Sequence, residues 1–131
     1  MSTDLNPTMA NKAILIVDDQ GYLRQLIRTS LGSQGFTNLM EASDGMNASR
    51  MLEKNKVDLV ICDWEMPNMD GMELFADLQK KTGLKDTPFI LLTKHGDKGK
   101  VTRAIGAGIK NYIVKPFTPE IIIGKVMDIL Q

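Results

Sequence analysis

The chain has 131 residues, a size suited to one domain with a sizeable core. Its 16 lysines and arginines balance its 16 aspartates and glutamates, so no overall field draws it to nucleic acid or an anionic membrane. One cysteine, Cys62, excludes an internal disulfide, and apolar runs such as 13–17 and 89–92 are too short to span a bilayer.

Residues 1–10 carry no basic stretch followed by an apolar one, so they do not read as a signal peptide, and a cytoplasmic protein is expected. With Pro7 and few apolar side chains they read as a disordered leader, with one domain over 11–131. "AILIV" (13–17) reads as a first, buried strand, stopped by Asp18 and Asp19. Leu23, Leu26, Ile27, Ser30 and Leu31 then recur at helical spacing, and Gly32 and Gly35 close that helix. "FTNLME" (36–41) suits a second strand, and "SDG" offers an N-cap for a helix with Ala48, Met51 and Leu52 on one face. "VDLVIC" (57–62) is the third predicted strand. In "NMDGMELFADL", Asp70 and Glu73 have capping-box spacing ahead of Leu74, Phe75 and Leu78.

"PFILLT" (88–93) gives a fourth strand, with Val101, Ala104 and Ile105 on the helix that follows and "GAG" ending it. "NYIVK" (111–115) is the fifth strand, and "TPE" caps a last helix bearing Ile122, Val126 and Ile129. The alternation is β-α throughout. Strands apolar on both faces demand helices on both sides, so the pattern predicts a three-layer α/β fold, a doubly wound (βα)5 unit on a parallel five-stranded sheet.

Open parallel sheets build sites outside the carboxyl ends of their strands. There this chain places Asp18 and Asp19 (first strand), Asp63 (just past the third), Thr93 (fourth) and Lys115 (fifth). Three crowded carboxylates repel, so one is protonated or a cation sits between them. All-oxygen ligands with room for water suit Mg²⁺, and a metal beside a lysine and a hydroxyl is equipment for phosphoryl transfer. The lone histidine, His95, leaves no hydrolase pair, and there is no glycine-rich nucleotide loop. Taken singly, these residues have plainer readings: Asp18–Asp19 as helix caps, Thr93 and Tyr112 as strand filling, and Lys115 as a solvated lysine before Pro116. Trp64 reads as a partly exposed lid.

In order and spacing, "LIVDD", "VICDWEMPNMDG", "ILLT" and "YIVKPFTPE" resemble a response-regulator receiver domain of the single-domain chemotaxis type, over residues 12–131. The resemblance implies a flavodoxin-like sheet of strand order 2-1-3-4-5. It implies that Asp63 accepts a phosphoryl group from a histidine kinase. Mg²⁺ would be held by Asp19, Asp63 and the backbone carbonyl of Glu65, with Asp18 acting through a water. Lys115 would pair with the acceptor or its phosphate. Thr93 would move to bond the phosphate and Tyr112 would swing inward behind it. A cis bond between Lys115 and Pro116 is also implied.

The face of the fourth helix, fifth strand and final helix would then bind a downstream target protein, with a flagellar switch as the first expectation. The resemblance makes the chain a monomeric two-component signalling protein that promotes only its own phosphorylation and dephosphorylation. A phosphorelay carrier, an unphosphorylated pseudo-receiver and an aspartyl-nucleophile phosphatase are the alternatives. Glu65, Lys94 and His95 occupy positions that tune the reaction in the family. Lys94 stands where the family usually has a small residue; it either crowds the entrance or points outward and attracts the donor. Glu65 either orients water or repels it.

Overall fold

The computed structural model describes residues 5–94 and 98–131. Five parallel strands, β1 (Ala13–Val17), β2 (Asn38–Ala42), β3 (Leu59–Asp63), β4 (Phe89–Lys94) and β5 (Asn111–Lys115), form one sheet of order β2-β1-β3-β4-β5. The helices are α1 (Pro7–Ala10), α2 (Gly21–Gly32), α3 (Gly45–Lys54), α4 (Gly71–Gln79), α5 (Lys98–Gly106) and α6 (Pro119–Leu130). The order and the doubly wound α/β class are those expected.

The central strands are buried along their whole length because each face of the sheet carries its own core. Ile14, Ile16, Leu59, Ile61, Ile90 and Leu92 turn to Ile27 and Leu31 of α2 and to Ile122 and Val126 of α6. Leu15, Val17, Val60, Cys62 and Leu91 turn the other way, to α3, α4 and Ala104 of α5. The period-2 alternation of side chains along a strand does this sorting, and full burial of each large aliphatic side chain contributes roughly 1.5–3 kcal/mol.

Helix starts follow local chemistry. Asp44 accepts from Asn47 N at 2.8 Å, Thr118 caps α6 with Pro119 behind it, and Asp70 and Glu73 form a reciprocal capping box. Gly71 is forced by space: a Cβ there would lie 2.5 Å from the carbonyl oxygen of Asp63 and 3.0 Å from Trp64 Cα.

The structure corrects several boundaries. β2 starts at Asn38, not at 36, because Phe36 drops into the core beneath α2. β3 starts at Leu59; just before it Asp58 is tied to Ala13 twice, its N–H donating to Ala13 O and its Oδ2 accepting from Ala13 N, each at 2.8 Å. It ends at Asp63, which lies opposite Leu92 within the ladder. In the described residues before β1, Asn6 caps the helical turn α1, and Leu5 and Met9 pack against the core of the α2–α6 side. Among the described residues no helix is long and apolar enough to cross a membrane.

Candidate functional site

The carboxyl ends of β1, β3, β4 and β5 bring the expected residues together. Carboxylate oxygens of Asp18, Asp19 and Asp63 all lie within 4.8 Å of one another. Asp18 and Asp63 are buried, while Asp19 faces solvent. Lys115 Nζ lies 2.9 Å from Asp63 Oδ1 and 3.4 Å from Asp18 Oδ2. The cation expected between the acids is therefore supplied, in part, by the chain itself.

Electrostatics follow from that crowding. Burial pushes the Asp63 carboxyl above its ordinary value, against the pull of Lys115 and with the repulsion of Asp18 added. Asp18 is raised for the same first reason, opposed by the Gln20 N–H that its side chain accepts and by Lys115. Burial works against the Lys115 ammonium, but its bond to Asp63 and the charges of Asp63 and Asp18 outweigh that and raise it. Lys115 stabilises each buried acid while the two acids repel one another, so the cluster keeps an excess of negative charge that a further cation would offset.

Thr93 is buried at the end of β4, and its Oγ1 has no hydrogen-bond partner, alone among the buried side-chain polar atoms of the described residues. A buried hydroxyl without a partner costs roughly 1–3 kcal/mol. Tyr112 lies on β5, opposite Leu91 and three residues before Lys115, and is 37% exposed. The Lys115–Pro116 bond is cis.

The residues flagged as tuning positions divide. Glu65 is exposed and bonded to two lysines, Lys94 and Lys100, each at 2.8 Å. Hydrogen bonds from Lys100 and Lys94 hold its carboxyl down at about 2. Of the two readings for Lys94, pointing outward is the one observed: its side chain is 75% exposed. His95 lies outside the described residues. Trp64 is not a partly exposed lid but is buried among the α4-side core, with the Lys100 ammonium 5.3 Å and the Arg103 guanidinium 6.0 Å from its ring centre. The paired cations cover the indole that the sequence reading left open to solvent. Cys62 is buried, and burial holds its thiol well above the ordinary range, so it is inert.

Two contributors were missed in the sequence. Lys100 belongs to no motif, and its pairing with Glu65 crosses from α5 to the loop after β3. Arg24 carries no motif. Its Nη1 donates to the backbone carbonyl of Asp18 at 2.6 Å, a contact for which sequence spacing gives no signal.

A parallel sheet of order 2-1-3-4-5, with an acid cluster, a lysine and a hydroxyl on its carboxyl rim, defines a class. The chain belongs to the response regulator receiver domain family, whose profile matches residues 14–127. Its relatives narrow the kind further. It is 40% identical over 118 residues to a chemotaxis protein CheY homolog of Campylobacter jejuni, covering 89% of this chain and 91% of that one. It is 36% identical to the chemotaxis protein CheY1 of Helicobacter pylori, covering 89% and 95%. Among solved structures it superposes on Vibrio cholerae chemotaxis protein CheY4 with a TM-score of 0.84 at 29% identity, covering 92% and 99% of the two chains. It is a CheY-like receiver domain of a two-component response regulator, a signalling domain and not an enzyme of the ordinary kind.

Proposed function

We propose that Asp63 accepts a phosphoryl group from the phosphohistidine of a kinase, and that the resulting acyl phosphate changes the α5–β5–α6 face so that it binds a target protein. The observation that carries this reading is the placement of Asp63: buried at a strand end, within 4.8 Å of two further acids and 2.9 Å from Lys115. An Asp63 carboxylate oxygen forms the bond to phosphorus, and the bond from phosphorus to the imidazole nitrogen breaks. The imidazole leaves with the electron pair and takes up a proton.

The donor set fits Mg²⁺, because three carboxylates at one rim offer oxygen ligands and Asp19 leaves one side open to solvent. Asp19, Asp63 and the Glu65 carbonyl would hold it, with Asp18 acting through a water. When bound, the ion supplies charge neutralisation for the phosphoryl oxygens. Lys115 already offsets the charge of the acceptor and needs only a small move to follow that charge onto the phosphate. The Thr93 hydroxyl has a donor to give, and a group of about −1.5 to −2 charge is the partner that would draw it. Its displacement would leave space that Tyr112, now at the surface, enters. That coupling would transmit the local event to the outer face, where Ile105, Tyr112, Val114 and Ile121 are exposed.

Sequence likeness to chemotaxis proteins makes a component of the flagellar switch the first target to examine. A pseudo-receiver blocked by Lys94 is disfavoured by the outward course of that side chain. The test is incubation with acetyl phosphate or phosphoramidate and Mg²⁺, read by intact mass. A phosphate-sized gain that is absent in Asp63→Asn supports the proposal, and no gain with any donor overturns it. For the face, a phosphate mimic should shift amides of α5 and Tyr112, and shifts confined to the acid rim would refute the switch.

A further inference from the structure

We infer that Arg24 is a positioning residue for the acid pair: its guanidinium clamps the Asp18 carbonyl to Glu41 of β2 and fixes how β1 hands over to the Asp18–Asp19 loop. This rests on the proposed function for its purpose, though not for its geometry.

Val17 is the last residue of β1 in both ladders, opposite Ala42 on one side and Cys62 on the other. Asp18 still donates its N–H to Ala42 O at 3.2 Å, but beyond that point the sheet no longer dictates direction. Asp18 is nevertheless fully buried, so each of its polar groups needs a partner. Gln20 N donates to Oδ1 at 2.9 Å, Lys115 approaches Oδ2, and Arg24 Nη1 donates to the carbonyl. At 2.6 Å the last is the shortest of the set.

Helix capping does not anchor the loop, because Gln20 at the N-cap of α2 makes no side-chain bond to the helix. Arg24 reaches back from the first turns of α2 in its place. Its charge is answered outside the acid cluster: Nε donates to Glu41 Oε1 at 3.0 Å, and the other oxygen of Glu41 accepts from Arg28 at 2.9 Å. The guanidinium therefore serves Asp18 as a donor in a rigid fork and not as a counter-ion, a two-ended grip that a lysine ammonium reproduces poorly. Ligand groups tolerate displacements of only about half an ångström before a site loosens, so a fixed carbonyl at Asp18 matters to the carboxylates on either side of it.

The test compares Arg24→Met, Arg24→Lys and, as a control at the exposed end of the same network, Arg28→Met. Mg²⁺ affinity is measured by titration calorimetry with no phosphodonor, and exchange of the Gln20 amide by NMR in metal-free protein. Arg24→Met should weaken Mg²⁺ binding about tenfold and speed Gln20 exchange while leaving β4 amides unchanged. Arg24→Lys should recover part of both, and Arg28→Met should change neither. Unchanged Mg²⁺ affinity and Gln20 exchange in Arg24→Met overturn the inference, as does an equal effect of Arg28→Met. Should Arg24→Met not fold, Glu41→Gln keeps an acceptor for Arg24 and should give an intermediate loss; no loss there overturns the inference. Failure of the wild-type protein to bind Mg²⁺ or take up phosphate sinks the proposed function alone, because the Gln20 exchange rate needs neither and still decides the role of Arg24.

Discussion

Lys115 Nζ stands 2.9 Å from Asp63 Oδ1 at the carboxyl rim of the sheet, and the same ammonium reaches Asp18, 97 positions earlier in the chain. The pair holds a buried carboxylate in place without removing the cost of burying it, as the raised Asp63 value shows.

That balance sets a pH dependence. A carboxyl raised in the folded state binds its proton more tightly there than in the unfolded chain. Its ionised form therefore costs stability above the folded value, and the cost vanishes below the unfolded value of 3.8. Asp63→Asn removes the cost. Metal-free Asp63→Asn should be more stable than wild type at pH 7 by on the order of 1 kcal/mol, and the gap should close as pH falls toward 3.8. Millimolar Mg²⁺ should reverse the order by stabilising only wild type. Urea unfolding across pH, with and without Mg²⁺, checks both statements.

Thr93 carries a hydroxyl with no partner, so Thr93→Val should be neutral or stabilising by about 1 kcal/mol in the unphosphorylated protein. The same change should abolish the amide shifts at Tyr112 on adding a phosphate mimic. A Thr93→Val protein that still transmits those shifts would remove Thr93 from the switch.

Glu65 behaves in the opposite sense to Asp63. Lys100 and Lys94 hold it at about 2, below its ordinary 4.5, so its contribution is present above 4.5 and is lost as pH falls through about 2. Half-exposed as it is, the stability effect should stay within about 1 kcal/mol. The titration itself is the readout: in the double variant Lys94→Ala, Lys100→Ala, the Glu65 carboxyl resonance should titrate near 4.5.

Gly71→Ala should destabilise the protein by about 1–3 kcal/mol, because the new Cβ meets the Asp63 carbonyl and the Trp64 backbone, neither of which can move freely. Mg²⁺ affinity should fall with it, since the carbonyl that yields belongs to Asp63, a proposed ligand of the ion. Thermal unfolding and metal titration together test this.

Much of this protein was legible in one dimension. The alternation of apolar runs with helical spacing, and the caps at Asp44, Asp70 and Thr118, specify which segments are strands and where helices begin, because those choices depend on neighbours within a few residues. Polar residues closing successive strands also marked Asp18, Asp19, Asp63, Thr93 and Lys115 as neighbours, since parallel strands place like ends on one rim.

Only the tertiary structure decided which of those residues lie buried and what each touches. The sequence could not show that Lys94 leaves the pocket for Glu65, that cations cover Trp64, or that Arg24 grips the Asp18 carbonyl. The Lys94–Glu65 pair crosses from β4 to the loop after β3, and the other two contacts depend on how α5 and α2 settle against the sheet. Local rules chose the elements; packing chose the partners.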